Sequence, residues 1–225
     1  MAGNNKQYCY YNPNLNLFRV LIPSILGYRF TGDDDTDNIT IGLLFLQYLQ
    51  KEIFEKVDIK DVSGSAFGLN SFAYAYTYPF SGIKGGVVAY PPELLGAGGL
   101  NLSLAEYCKV YHSVFGSKDG KIISADIAST MTDNDYGTFH KLYNVAQGTR
   151  IYYHAGFDTS INCNGSSCVT NGDNAVWYQL PDGSTCGLFV NAVDIVNPFI
   201  VGSTKMNIYE LIDICYTRAQ IAYGK

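Results

Sequence analysis

Two short constellations carry residue types that could do chemistry. Tyr10-Tyr11-Asn12-Pro13-Asn14 sets a phenol and a carboxamide two positions apart, on what reads as an exposed turn just before an apolar helix. A tyrosine serves as a general base only where a neighbouring cation brings its pKa well below about 10. An asparagine amide can hold a substrate carbonyl. His154-Ala155-Gly156 stands at the end of a predicted strand. Glycine there lets a substrate backbone approach the strand edge, and the histidine can donate to a carboxylate or carbonyl. Read singly, the first constellation is a structural turn and the second a structural histidine. His112, on a predicted helix, and His140, in a predicted polar loop, have no such company and read as surface residues.

The elements that must position these groups follow from periodicity. Leu15 to Leu26 repeats at helical spacing with Gly27 as a stop, and Pro23 is expected to kink or end that helix early. Gly32 to Asp37 reads as a solvated acidic loop; it lacks the glycine and bidentate glutamate of an EF-hand, so no calcium site is expected. A helix from Ile41 to Glu55 buries Leu44, Leu46, Tyr48, Leu49 and Ile53. Ser63 to Gly99 is loop-rich and packed by its own aromatic rings, with one short strand at Phe72–Tyr76. Ser103 and Glu106 form a capping box that opens a helix running to Gly116, with Leu104, Tyr107, Val110, Tyr111 and Val114 as its apolar stripe. A shorter helix covers Ser124 to Met131. The period then changes to alternation, giving strands at 150–154, 174–180 and 185–191, the last two joined by the turn Pro181-Asp182-Gly183-Ser184. Met206 to Ala222 closes the chain as a helix offering Tyr209, Ile212, Tyr216 and Ala219 to one sheet face. The expected class is α+β in one domain, with a mainly helical and loop lobe over 1–149 and antiparallel strands plus a C-terminal helix over 150–225.

Composition narrows the function. The 225 residues carry a formal charge of −5 and no basic stripe, which argues against a nucleic-acid partner. No apolar run approaches the roughly 20 residues that span a bilayer. The first seven residues contain no signal-peptide core. Six cysteines and the acceptor patterns at Asn38, Asn101 and Asn164 favour an oxidising, secreted or lysosome-like compartment. Cys163 and Cys168 bracket a short polar loop that could close a small disulfide ring; the wider connectivity is open. No cysteine pair has zinc-ligand spacing, and no cofactor is expected.

The constellations gain meaning from their order. Tyr10-Tyr11-Asn12 leads into the apolar helix with Gly27, then come Ile53 to Asp61, Gly96-Ala97-Gly98-Gly99-Leu100 with Ser103 and Glu106, His154-Ala155-Gly156, and Trp177 to Gly183 with Asn191. This succession resembles the serine beta-lactamase and D,D-peptidase superfamily, in particular its class C-like, penicillin-binding-protein-like branch, over nearly the whole chain. The resemblance implies a beta-lactamase-like antiparallel sheet flanked by helices, and acyl transfer on a small amide or ester through an acyl-enzyme. Tyr10 would take or relay the nucleophile's proton and Asn12 would orient the substrate. His154 and Gly156 would fill the third motif, and the backbone N–H of Phe157 would be an oxyanion donor.

One part of the pattern is missing. The family's Ser-x-x-Lys nucleophile precedes the Tyr-x-Asn turn, whereas residues 1–9 hold no serine. The one match, Ser81-Gly82-Ile83-Lys84, follows Tyr10 and runs into Gly85-Gly86, poor material for a helix start. The strands and central helix that accompany the nucleophile would be missing too, leaving a sheet edge and apolar helix faces uncovered. The sequence therefore leads us to expect a hydrolase fragment completed by an N-terminal partner chain or by oligomerisation. The alternative is a non-catalytic relative serving as a binding or assembly subunit.

Overall fold

The computed structural model describes residues 12–64, 76–77, 85, 91–144, 149–164, 167–193, 199–201, 204–206 and 208–223. It is α+β, with mainly antiparallel strand pairing. The chain divides into two compact units: residues 1–71 with 89–138, and residues 72–88 with 139–225.

The first unit is built on two helices. α1 spans Asn12–Ile25, so Asn12, Pro13 and Asn14 form its opening turn and not a turn ahead of it. Proline suits that place, because its fixed φ is helical and its missing N–H would find no partner there. Pro23 does not stop the helix as expected. It lies buried in the last turn, and the chain reverses four residues later at Gly27, whose φ of +103° glycine tolerates. There the N–H of Tyr28 reaches back to the Pro23 carbonyl at 3.0 Å and that of Gly27 to Ser24 at 3.1 Å.

α2 spans Asp34–Leu49 and starts inside the segment expected to be a solvated loop. Asp33 caps it by accepting from the Thr36 N–H at 2.8 Å, and Asp34, Asp35 and Asp37 sit where the helix dipole favours negative charge. Asp37 is buried, contrary to that expectation. Its carboxylate accepts from the Tyr28 hydroxyl at 2.6 Å, the Thr31 N–H at 2.9 Å and hydroxyl at 3.0 Å, and the Gly32 N–H at 3.1 Å. The acidic run thus clamps the incoming chain to the helix start.

Beyond Leu49 the helix loosens into a π-helical turn at Gln50–Phe54, then tightens into a 3₁₀ turn at Glu55–Val57. The Gln50 side chain ties this end of the helix to the next stretch of backbone, donating to the Ile59 carbonyl and accepting from the Val62 N–H, both at 2.9 Å. Phe54, Val57 and Ile59 form one small core and Phe45, Leu46 and Leu95 a second. β1 (Ser63–Gly64) pairs with β3 (Leu100–Asn101); β2 (Tyr76–Thr77), between them in sequence, belongs to the second unit. Residues 65–75, which hold most of the expected strand at Phe72–Tyr76, and much of the expected aromatic lobe lie outside the described residues.

α3 (Leu104–Tyr111) opens with both halves of the capping box: Ser103 Oγ accepts from the Glu106 N–H at 3.3 Å, and Glu106 accepts from the Ser103 N–H at 2.8 Å. It runs into a π-helical turn at His112–Gly116. α4 (Ala125–Asp133) follows its cap Ser124.

The second unit holds a six-stranded sheet. β4 (Phe139–Asn144), β5 (Thr149–Asn164), β6 (Ser167–Gln179) and β7 (Thr185–Val190) are consecutive antiparallel neighbours. β2 pairs antiparallel with β6 at Tyr76↔Gly172 and parallel with β8 (Ala192–Val193). β9 (Phe199–Val201) and β10 (Thr204–Met206) form a separate small hairpin pairing. The meander read from the sequence is present, but its first two strands are far longer than 150–154 and 174–180. β4 replaces the polar loop expected around His140. α5 (Ile208–Tyr223) brings Ile212 and Tyr216 onto the core formed by Ile151, Val176, Tyr178 and Leu180, while Ala219 is exposed. Trp177 and Tyr178 both have 0% exposure, and adjacent strand residues point to opposite faces, so both faces of β6 are covered at this level.

Candidate functional site

The residues singled out from the sequence fall in different places. Tyr10 lies outside the described residues. Asn12 is exposed at the start of α1, in the first unit. His154, Gly156 and Phe157 follow one another along β5, in the second unit. The structure brings the last three together on one strand.

His154 lies opposite Trp177 in the β5–β6 register and carries the ring of Phe139 stacked on it, with centroids 5.8 Å apart and planes at 23°. Phe139 also meets Tyr153, at 5.8 Å, so the end of β4 folds an aromatic ring over this part of β5. Desolvation in that setting pushes the His154 pKa below the usual histidine value, favouring the neutral ring. A neutral imidazole can donate from one nitrogen and accept at the other. A side chain built on Gly156 would meet nothing within 4 Å, so no close approach within the chain requires glycine there.

The register fixes where the backbone groups of β5 point. Asn164 pairs with Ser167 across only two intervening residues, and such a closing pair must be of the hydrogen-bonded type. Alternation then makes 162, 160, 158 and 156 hydrogen-bonded to β6, whereas 163, 161, 159, 157 and 155 turn their N–H and C=O to the opposite side. The other flank of the ribbon agrees: the Leu180 N–H donates to Ser184 at 2.8 Å, so even-numbered positions of β6 face β7. Phe157 therefore aims its N–H away from β6. On that side β4 pairs only as far as Tyr153, opposite Phe139, and no other described strand continues the sheet past it. The arrangement can present a backbone donor, the Phe157 N–H, three residues along β5 from a neutral histidine, with Gly156 between them.

No described tyrosine with a shifted pKa is poised as a base. The Tyr28 hydroxyl is pushed up, chiefly by its hydrogen bond to Asp37, and the Tyr107 hydroxyl is pushed up by burial. Among the described residues, no three His, Cys, Asp or Glu side chains gather as a metal cluster. Asp33 and Asp37 spend their oxygens on the local chain, at the start of α2.

Several features that the sequence does not announce lie in the first unit. Arg19 is buried in α1 and donates to the Asn38 carbonyl at 3.0 Å. Beside it, Asn38 and Asn16 donate to the carboxylate and carbonyl of Glu93, and the Gly96 N–H donates to Asn16 Oδ1 at 3.1 Å. The Asn38 amide of the first glycosylation pattern is thus engaged within the fold. Opposite this polar seam, α1 turns Leu17, Phe18, Leu21 and Ile25 outward at 41–81% exposure, with Leu26 beyond its end at 65%. A pocket of about 470 Å³ opens next to Leu26, between the end of α1 and α2, lined by Pro23, Tyr28, Leu44, Tyr48 and the rim charges Lys51 and Glu52. The signal that could have exposed this outward stripe is that the sole charge of α1 is Arg19, placed between Leu15 and Pro23 on the buried side, so that no charge marks the opposite face as the solvent side.

No protein-family model, no curated protein and no solved structure matches this chain.

Proposed function

We propose that this chain is an assembly subunit, and that a second polypeptide covers the outward apolar face of α1. What supports the reading is the outward apolar stripe of that helix. Its only charged residue is buried, while four large apolar side chains and Leu26 beside them face water. Soluble proteins bury such a stripe, and contiguous exposed apolar surface marks interaction sites. At about 25 cal/mol per Å², covering these side chains would return on the order of several kcal/mol. The face bears no charge, so the complementary surface is apolar. The assembly is tested by the native mass of the chain isolated from its source. A complex that Ile25→Glu dissociates supports the proposal; a monomer of 24.7 kDa that binds nothing removes it.

A second reading has one specific observation in its favour. The N–H of Phe157 leaves the sheet beside His154 and Gly156, as an oxyanion donor would. In this reading the sheet is the beta-lactamase-like sheet, Tyr10 relays the proton, Asn12 orients an amide or ester, and the partner brings the Ser-x-x-Lys nucleophile. A serine-directed acylating probe applied to the native assembly should then label the partner. Absence of label anywhere in that assembly leaves the non-catalytic subunit as the sole reading.

A further inference from the structure

We propose that Cys163 and Cys168 form a cross-strand disulfide that staples the tip of the β5–β6 ribbon. The two residues are direct register partners. Because the next pair outward, Asn164↔Ser167, closes the hairpin and must be hydrogen-bonded, Cys163↔Cys168 is necessarily a non-hydrogen-bonded pair. This distinction decides whether a bond can form. Such pairs bring Cα atoms to about 4.5 Å with the side chains on one face, and a disulfide requires roughly 4.4–6.8 Å. A hydrogen-bonded position would hold the side chains farther apart.

The two residues between the paired strands are Gly165 and Ser166, a loop sequence suited to a tight two-residue hairpin connection. The tip also has a reason to need a staple. Beyond Gly172, where β2 pairs, β5 and β6 pair only with each other among the described strands. A two-stranded ribbon is marginal in water. Its residues here, including Thr159, Ser160, Asn162, Thr170 and Asn171, are largely polar.

The chemistry is thiol–disulfide exchange with an external disulfide, R–S–S–R. One cysteine thiolate attacks a sulfur of the donor and expels R–S⁻, leaving a mixed disulfide. The second thiolate then displaces the other R–S⁻. The pair loses two protons and two electrons, and the donor becomes two R–SH. The described thiol nearest in sequence, Cys186, is packed against the Ile151 and Val176 core, where burial pushes its pKa up and makes it a poor competitor for the exchange.

The folded chain, equilibrated with glutathione disulfide, is denatured without reductant, alkylated, and cleaved before aspartate. Residues 158–172 then leave as a peptide containing Cys163 and Cys168 and no other cysteine. The expected result is a peptide with no alkyl group, two hydrogens lighter than its reduced form, that takes two alkyl groups after reduction. Cys163→Ser and Cys168→Ser should each expose the remaining thiol to alkylation, and amide exchange over the tip should quicken in both. A peptide carrying two alkyl groups before reduction, or one linked to a different cysteine, overturns the proposal.

Discussion

The sheet of the second unit and helix α1 of the first bury opposite things. In the sheet, Ile151, Val176, Trp177 and Tyr178 have no exposed surface, and α5 closes one face with Ile212 and Tyr216. In α1 the buried side holds an arginine within a seam of amide and carboxylate contacts, beside Pro23 and Ile22, and Leu17, Phe18, Leu21 and Ile25 face water. The first pattern is what the hydrophobic effect produces when a surface already has its partner. The second is a helix held by polar contacts and by Ile22, packed on the Phe45, Leu46 and Leu95 core, with a further apolar stripe that faces water. A chain that buries tryptophan completely in one unit does not lack the means to cover a phenylalanine in the other, so the exposed face of α1 reads as a surface for assembly.

The sharpest way to separate the two regions is to empty each. Tyr178→Ala removes a wholly buried ring stacked at 5.8 Å on Tyr153, and should cost about 3–5 kcal/mol in denaturant unfolding. A loss under about 1 kcal/mol would mean that the sheet core is not a core. Gly96→Ala attacks the seam under α1. Its new Cβ would lie 2.7 Å from the Asn16 Cα and 2.9 Å from the Leu15 carbonyl oxygen, both backbone, and the forced separation should cost about 1–3 kcal/mol. An unchanged melting midpoint would show that α1 is not pinned there.

Acid should distinguish the regions as well. The Asp37 carboxyl is held below the usual carboxylate range, first by the Thr31 N–H and then by the Tyr28 hydroxyl. Its contribution is therefore present above the unfolded value of about 3.9 and is lost as pH falls through the lower folded value. Asp37→Asn should lower stability at neutral pH and flatten that acid limb. His154 is also shifted down, by desolvation, so the unfolded chain takes up its proton first. Stability from this group is full above about 6.5 and declines as pH falls from there toward the folded value. A melting series from about pH 8 to 2, spanning both limbs, on the parent chain and His154→Gln should show that the histidine limb vanishes in the variant while the acid limb remains. The smallest effect belongs to the outward face: Ile25→Ala should change the stability of the isolated chain by no more than about 0.5 kcal/mol.

The features legible in the sequence are local ones. Ser103 with Glu106, and Ser124 ahead of Ala125, announce helices because a cap and its partner lie within four residues. The strands around Tyr152, Trp177 and Leu188 show because alternation there is apolar. The outer halves of β5 and β6 are hidden, since residues such as Thr159, Asn162 and Asn171 carry no apolar alternation and are held by pairing with one another. β4 is concealed behind His140 and Lys141 for the same reason. The burial of Arg19 depends on Asn38 and Glu93, far along the chain. Pro23 reads as a breaker, yet a missing N–H in a last turn costs a single bond. For the candidate site, the sequence places His154, Gly156 and Phe157 on one strand end, but the direction of the Phe157 N–H requires the register.

The most direct test of the central claim is site-specific photocrosslinking from Leu21 and Ile25, with exposed Asp126 of α4 as the control position, in cells that make the chain. The account predicts crosslinks from both α1 positions to one polypeptide, none from Asp126, and their loss with Phe18→Glu. Equal crosslinking from all three positions, or none from α1, would contradict it.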